Sequence, residues 1–331
     1  MRDWLVAADD RTGAFEVAAS FAQAVGPVTV TVRDALTGSG VVDIGTRSLA
    51  AGEAARVAAA VDASESIWVA HKIDSTLRGN WAAELIARQR ANGRRVVLLP
   101  GWPDLGRTCV GGVVFVDGTP IGSIRDHLPE VELLADADAL RSWLDTPGTP
   151  GTMAACDVPS TEAMHAAAKV LADFDVLVAG PAGSLGAAFA AKHATRRPSG
   201  AERVSTPVIV VCGSSHPVAR EQIRQLHLSL PEVEIIATET PDGELKPAAV
   251  AELAARARAR IEQVKPRTVV LIGGETAAAV LGDSPRTVAG FAAVGMPYSR
   301  DTTGRGPPVV TKAGGFGGPN ALVDLIRGEH G

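Results

Sequence analysis

One pattern recurs along this chain and narrows its possible folds more than any other. A short apolar run of strand type ends in glycines, hydroxyls and charges, and then an alanine-rich stretch with helical spacing begins. Trp4–Ala8 leads into Asp9-Asp10-Arg11-Thr12-Gly13-Ala14 and a helical Phe15–Val25. Val28–Val32 follows as a second strand. Val41-Val42-Asp43-Ile44-Gly45-Thr46-Arg47-Ser48 is a third, with a helix near Glu53–Val61 after it. Ile67-Trp68-Val69-Ala70 runs into Lys72-Ile73-Asp74-Ser75-Thr76-Leu77-Arg78-Gly79-Asn80, and a helix begins at Trp81. Alternation of this kind predicts an α/β fold with a mainly parallel sheet and right-handed crossovers. The polar ends then fall along one sheet edge, where open α/β sheets bind ligands.

At 331 residues the chain is too long for one ordinary core. The pattern restarts at Pro207–Val211, after the polar, aperiodic stretch His193–Glu202, which reads as a linker. Two lobes are therefore expected, residues 1–198 and 205–331, each a mainly parallel sheet flanked by helices, with a cleft between them. Two interruptions are predicted in the first lobe. Gly111–Ile121 reads as a hairpin around Asp117-Gly118, a flap or an oligomer contact. Residues 124–150 read as an irregular excursion with one helix near Ala135–Leu144.

The opening residues lack a signal-peptide pattern, and no apolar run reaches the roughly 18 residues that span a bilayer. A cytoplasmic protein is expected, with no membrane partner. A formal charge of -5 and the lack of a basic block argue against nucleic acid. Cys109, Cys156 and Cys212 are far apart and read as buried small hydrophobes.

The nine residues Lys72–Asn80 hold two cations, a carboxylate, hydroxyls and an amide beside a glycine, which suits a polyoxygenated anion. Asp74 or Ser75 is expected to cap the helix that follows. Asp9 and Asp10 could hold Mg²⁺, orient hydroxyls or act as a base, and one of them could cap its own helix. In the second half, residues 213–215, 273–276 and 312–318 place small residues between a strand and a helix, a natural cradle for phosphate oxygens. Lys312 beside the last of these could meet a β- or γ-phosphate. None is a standard P-loop. A nucleotide-phosphate site facing the anion-gripping cluster across a cleft is the arrangement that phosphoryl transfer needs.

Ala8–Ala14, Lys72–Asn80, Gly273-Gly274-Glu275-Thr276-Ala277 and Thr311–Gly317 resemble, in order, the hallmark motifs of the four-carbon acid sugar kinase family. The resemblance implies an ATP-dependent kinase of threonate- or erythronate-type acids, with an acid-binding first domain and a nucleotide-binding second. Carried over by motif, Asp9, Asp10, Lys72, Asp74, Ser75 and Arg78 would face the acid. Gly274, Glu275, Thr276, Lys312, Gly314, Gly315 and Gly317 would face ATP, with Ser214 a further candidate. Arg78 is preferred for the substrate carboxylate because a guanidinium fork fits it. Asp74 and Asp10 rank together as the base. ATP and Mg²⁺ are the expected cofactors, the protein ligands of the metal stay unassigned, and a homodimer is a possible assembly. Arg11 stands where the family usually has leucine. Competing readings are a dinucleotide-dependent dehydrogenase or lyase and a non-catalytic sugar-acid binder, although no G-x-G-x-x-G follows a first strand in either half.

Overall fold

Runs rich in β-branched residues and too short for helices become strands here, and the alanine-rich segments between them become helices. The computed structural model describes residues 2–33, 38–61, 66–147, 152–195, 202–238 and 247–328. The first half runs β1 (Arg2–Ala8), α1 (Arg11–Val25), β2 (Val28–Val32), β3 (Gly40–Asp43), α2 (Ala51–Val61), β4 (Ser66–Lys72), α3 (Trp81–Asn92) and β5 (Val96–Leu98). It continues with β6 (Arg107–Val110), β7 (Val113–Val116), β8 (Thr119–Ser123), β9 (Glu132–Leu134), α4 (Ala137–Asp145), β10 (Met153–Cys156), α5 (Thr161–Leu171), β11 (Leu177–Gly180) and α6 (Ala182–His193). The second half runs β12 (Val208–Cys212), α7 (Pro217–Ser229), β13 (Glu234–Ala237), α8 (Pro247–Val264), β14 (Thr268–Ile272) and α9 (Gly274–Leu281). It closes with β15 (Arg286–Ala293), β16 (Met296–Asp301), β17 (Val309–Lys312) and α10 (Ala321–Arg327).

The α/β class and the mainly parallel pairing are as expected. The two sheets are joined edge to edge, in the order β13-β12-β14-β17-β16-β15-β2-β3-β1-β4-β11-β5-β10-β9. The junction is an antiparallel pairing of β15 with β2, Arg286 to Val288 against Val30 to Val28. The hairpin β15–β16 that makes it falls in the stretch between Leu281 and Pro308, for which the residue pattern gave no element. On the first half's core side, α1 and α6 bring Phe21 and Phe189 into a stack, with Trp4 and Trp68 edge-on to them. Each large apolar side chain buried this way contributes about 1.5–3 kcal/mol.

The expected hairpin is present as part of a separate three-stranded sheet, β6-β7-β8. Asp117 and Gly118 turn β7 into β8 with φ of 48° and 80°, and Gly111-Gly112 makes a second such turn. The excursion carries its short helix as α4, while its end at 148–150 and residues 196–201 of the expected linker lie outside the described residues. All three cysteines are buried and free.

Two helix starts and one expected cap differ from the sequence expectation. α1 begins at Arg11 rather than Phe15, because Asp10 is its N-cap: the carboxylate accepts from Gly13 N at 2.8 Å. α9 begins at Gly274 rather than Ala277, with Ala277 N bonded to Gly273 O. Neither Asp74 nor Ser75 caps α3, which starts after Asn80. Asp74 instead folds back onto Thr76, taking its N–H at 2.9 Å.

Candidate functional site

The site begins where β1 stops. The Asp9 carbonyl accepts the N–H groups of Thr46 and Arg47, at 3.0 and 3.2 Å, which hooks the loop after β3 over the end of β1. That hook aims Arg47 at three carboxylates. Its guanidinium donates to both oxygens of Asp9, at 2.8 and 2.9 Å, and to Asp10 Oδ2 at 2.8 Å, and it lies 3.3 Å from Asp74 Oδ2. Burial would lower the Arg47 pKa, but Asp10, Asp9 and Asp74 together raise it well above the arginine value.

Asp74 is the most heavily bonded of the three. Its Oδ1 accepts the backbone N–H and the hydroxyl of Thr76, and Arg78 clasps it with Nε at 3.1 Å and a second nitrogen at 2.8 Å. Burial opposes its ionisation, yet the hydrogen bonds from Arg78 and the charges of Arg47, Arg78 and Lys72 hold it well below the usual carboxylate range. The Arg78 side chain is itself 68% exposed.

Lys72, at the end of β4, is only 3% exposed, and among the described residues its Nζ donates no hydrogen bond. Gly13 makes room for it. A Cβ at that position would stand 2.6 Å from Asp10 Oδ1 and 2.8 Å from Lys72 Nζ. One turn along α1, Glu16 faces the same space. Burial pushes its pKa up to about 8; Lys72 opposes that rise, while Asp10 and Asp74 reinforce it.

The second half contributes backbone. Gly273 precedes α9 with φ of 100°, and its N–H bonds to the Lys312 carbonyl at 2.9 Å, tying the ends of β14 and β17 together. His216 caps α7, its Nδ1 accepting from Val218 N at 3.2 Å. A Cβ on Gly314 would lie 2.2 Å from Ser214 Oγ, and one on Gly315 would lie 3.1 Å from His216 Nε2, so this loop closes against α7 only with glycine there. Phe316 locks the loop to the first half, edge-on to Trp102 at 6.3 Å and under the Arg107 guanidinium at 4.8 Å.

The two halves meet at Asp10 and Gly274. A Cβ on Gly274 would stand 3.0 Å from Asp10 Oδ2 and 3.1 Å from Thr12 Oγ1. One cavity of about 890 Å³ takes in both walls. Asp9, Asp10, Lys72, Asp74, Ser75, Arg78, Ser214, Gly274, Glu275, Thr276, Gly314 and Gly315 all line it. Two of the residues singled out by sequence do not. Lys312 is fully buried behind the glycine loop, donating to Ala313 O at 2.8 Å, with its pKa lowered to about 8 by burial. Gly317 lies beyond the wall, against Ala321 and Gln222. Arg47, Glu16, Thr12, Arg107 and His216 also line the cavity, and motif reading did not select them. Arg47 carried a signal, since it lies in a strand-end cluster like the others. Thr12 and Glu16 carried another, four residues apart and so on one face of a helix.

Residues 4–127 match the sugar-binding N-terminal domain family. A D-threonate kinase of Cupriavidus necator is 38% identical over 130 residues, 36% of this chain and 31% of that protein. A D-threonate kinase of Bordetella bronchiseptica is 28% identical, over 96% of this chain and 95% of that one. These likenesses support the resemblance to the four-carbon acid sugar kinase family. A solved Salmonella typhimurium LT2 protein shares the fold, with a TM-score of 0.75, 20% identity and 99% of each chain covered. A Bordetella bronchiseptica structure of a domain of unknown function, with bound citrate and as a domain-swapped dimer, matches at TM-score 0.51 and 22% identity over 98% of each chain.

In this chain Arg11 is a strut between the halves. Buried at the start of α1, it pairs with Asp43 at 2.8 Å and donates to the Gly282 carbonyl at 2.7 Å, at the carboxyl end of α9. A cation there also meets the negative end of the helix dipole.

Proposed function

We propose that the protein transfers the terminal phosphoryl group of ATP to a hydroxyl of a small sugar acid of the threonate or erythronate type. Residues 1–198 would hold the acid and residues 205–331 the nucleotide. The observation that carries this reading is the closeness of Asp10 and Gly274, a carboxylate of one half facing the backbone of an anion cradle in the other within one cavity. In-line transfer needs that juxtaposition. The relatives named D-threonate kinase support the choice of acid.

ATP would supply the phosphoryl group, and Mg²⁺ would neutralise its charge. The cradles suit a polyphosphate: the starts of α1, α7 and α9 line the cavity, and side chains are missing where an approach must be close. Among the described residues no group of three or more metal-binding side chains is present, and Arg47 already engages Asp9, Asp10 and Asp74. Mg²⁺ would thus be carried on phosphates and water with one or two carboxylates, as this ion prefers. Glu275, exposed on the first turn of α9, is the candidate.

Asp10 takes the proton of the attacking hydroxyl in this scheme. As that O–H bond breaks, a new bond to phosphorus forms and the diphosphate leaves. Asp74 suits the role badly, because Arg78 clasps both of its oxygens and the surrounding cations hold it ionised so strongly that it is a weak base. Lys72 takes the acid's carboxylate, since its Nζ has no acceptor among the described residues, whereas Arg78 is committed to Asp74. A second copy of the chain as partner is part of the proposal, tested by light scattering.

The enzymatic test is ADP release with ATP, Mg²⁺ and the enantiomers of threonate and erythronate. Asp10→Asn is expected to lower kcat by about 10²–10⁴-fold with little change in the KM of the acid. Release that no acid stimulates would sink the reading, and tight binding of NADPH in place of ATP would favour the dehydrogenase alternative.

A further inference from the structure

The cavity holds two largely buried side chains that no described residue hydrogen-bonds. Lys72 is 3% exposed and Glu16 is 4% exposed; both line the cavity, and no described residue hydrogen-bonds the Lys72 ammonium or the Glu16 carboxyl. They act on each other: of all the charges around Glu16, Lys72 has the largest effect. Side chains so far withdrawn from bulk solvent favour a ligand that supplies hydrogen bonds to them. Thr12, four residues before Glu16 on the same helix face, adds a buried hydroxyl without a partner.

An ammonium and a carboxyl that line one cavity without pairing with each other suit an anion with a neutral donor-acceptor group next to it. Resting on the kinase reading above, we propose that Lys72 and Glu16 form an α-hydroxy-acid subsite. Lys72 binds the carboxylate, and Glu16 hydrogen-bonds the hydroxyl on the adjoining carbon. Glu16 is then a specificity-determining residue that rejects acids lacking the 2-hydroxyl. It takes no part in the transfer, which occurs at another hydroxyl nearer Asp10. Burial keeps the Glu16 carboxyl protonated at neutral pH, with a pKa near 8, so it can both donate to and accept from that hydroxyl.

The test compares kcat/KM for the preferred acid of the threonate–erythronate panel with that for 3,4-dihydroxybutanoate, its 2-deoxy counterpart. Wild type is expected to favour the 2-hydroxy acid by roughly 100-fold or more, because a site built to hydrogen-bond a hydroxyl rejects the analogue without it. In Glu16→Ala that ratio is expected to fall at least about tenfold, the loss being confined to the 2-hydroxy acid. Glu16→Gln, which can still donate and accept, should retain part of the preference. If Glu16→Ala does not fold, the ratio in Glu16→Gln decides, and an unchanged ratio there overturns the inference. Equal losses on both acids in Glu16→Ala would mean a structural role only and would also overturn it, as would a wild type indifferent to the 2-hydroxyl. Failure of the kinase reading looks different: wild type turns over no acid at all, and the subsite assignment falls with it.

Discussion

At the scale of single residues, Arg47 organises the acidic cluster and Glu16 sets its pH behaviour. Removing Arg47 leaves Asp9, Asp10 and Asp74 facing one another with their main counter-charge gone. Arg47→Ala is expected to cost about 3 kcal/mol, as breaking a buried pair does. A denaturant titration of the two proteins measures this, and a difference near zero would show that the cluster is held by other bonds. Glu16 titrates near 4.5 when unfolded and near 8 in the fold, so between those values the folded state binds the extra proton. Its contribution to stability is complete below about pH 4.5 and is lost as pH rises through 8. Melting curves from pH 5 to pH 8 should therefore fall less steeply for Glu16→Gln than for wild type. Parallel curves would contradict the buried, protonated carboxyl.

At the scale of elements, what matters is how loops close over strand ends. The glycine loop after β17 packs on α7 only because Gly314 has no side chain; a Cβ there would lie 2.2 Å from Ser214 Oγ. Gly314→Ala is expected to weaken nucleotide binding by roughly tenfold or more, about 1.4 kcal/mol per tenfold, without touching the acid's affinity. Titration with a fluorescent ATP analogue and calorimetry with the acid separate the two effects, and equal losses in both would place the damage elsewhere. Most of the elements were readable because strand runs, polar ends and helices differ in period and composition. The hairpin β15–β16 was not. β15 alternates buried and partly buried positions but with alanine and glycine, which have little hydrophobic contrast, and in β16 Pro297 argues against a strand until the pairing is seen.

At the scale of the whole molecule, the two halves are held by the β2–β15 pairing, by α1 packed on β15 and α9, and by the Arg11 strut. Arg11→Leu leaves Asp43 buried with only the Gly45 N–H as a remaining described hydrogen bond. A loss of about 3 kcal/mol is expected at neutral pH. Burial already raises the Asp43 pKa against the pull of Arg11, so the deficit should shrink as pH falls and the carboxyl takes a proton. Denaturant midpoints at pH 7 and pH 5 check this, and a deficit that grows on acidification would refute it.

The residues alone were enough to indicate the α/β class, the glycine and carboxylate motifs and twelve of the residues that line the cavity, because periodicity and strand-end chemistry are local properties. They did not reveal that Arg47 gathers the carboxylates, that Asp74 is saturated while no described residue hydrogen-bonds the Lys72 and Glu16 side-chain ends, or that Lys312 is turned away from the cavity. Those outcomes depend on which groups meet across the fold. The cavity itself depends on the sheet junction. Three successive antiparallel pairings, β17–β16, β16–β15 and β15–β2, reverse the strand direction between the halves, and twist of roughly 20–25° per strand accumulates over the steps from β14 to β1. That rotation is on the order of 120–150°, enough to swing both sets of strand ends back toward one another. Geometry of this kind comes from the sum of many pairings, and no single motif encodes it.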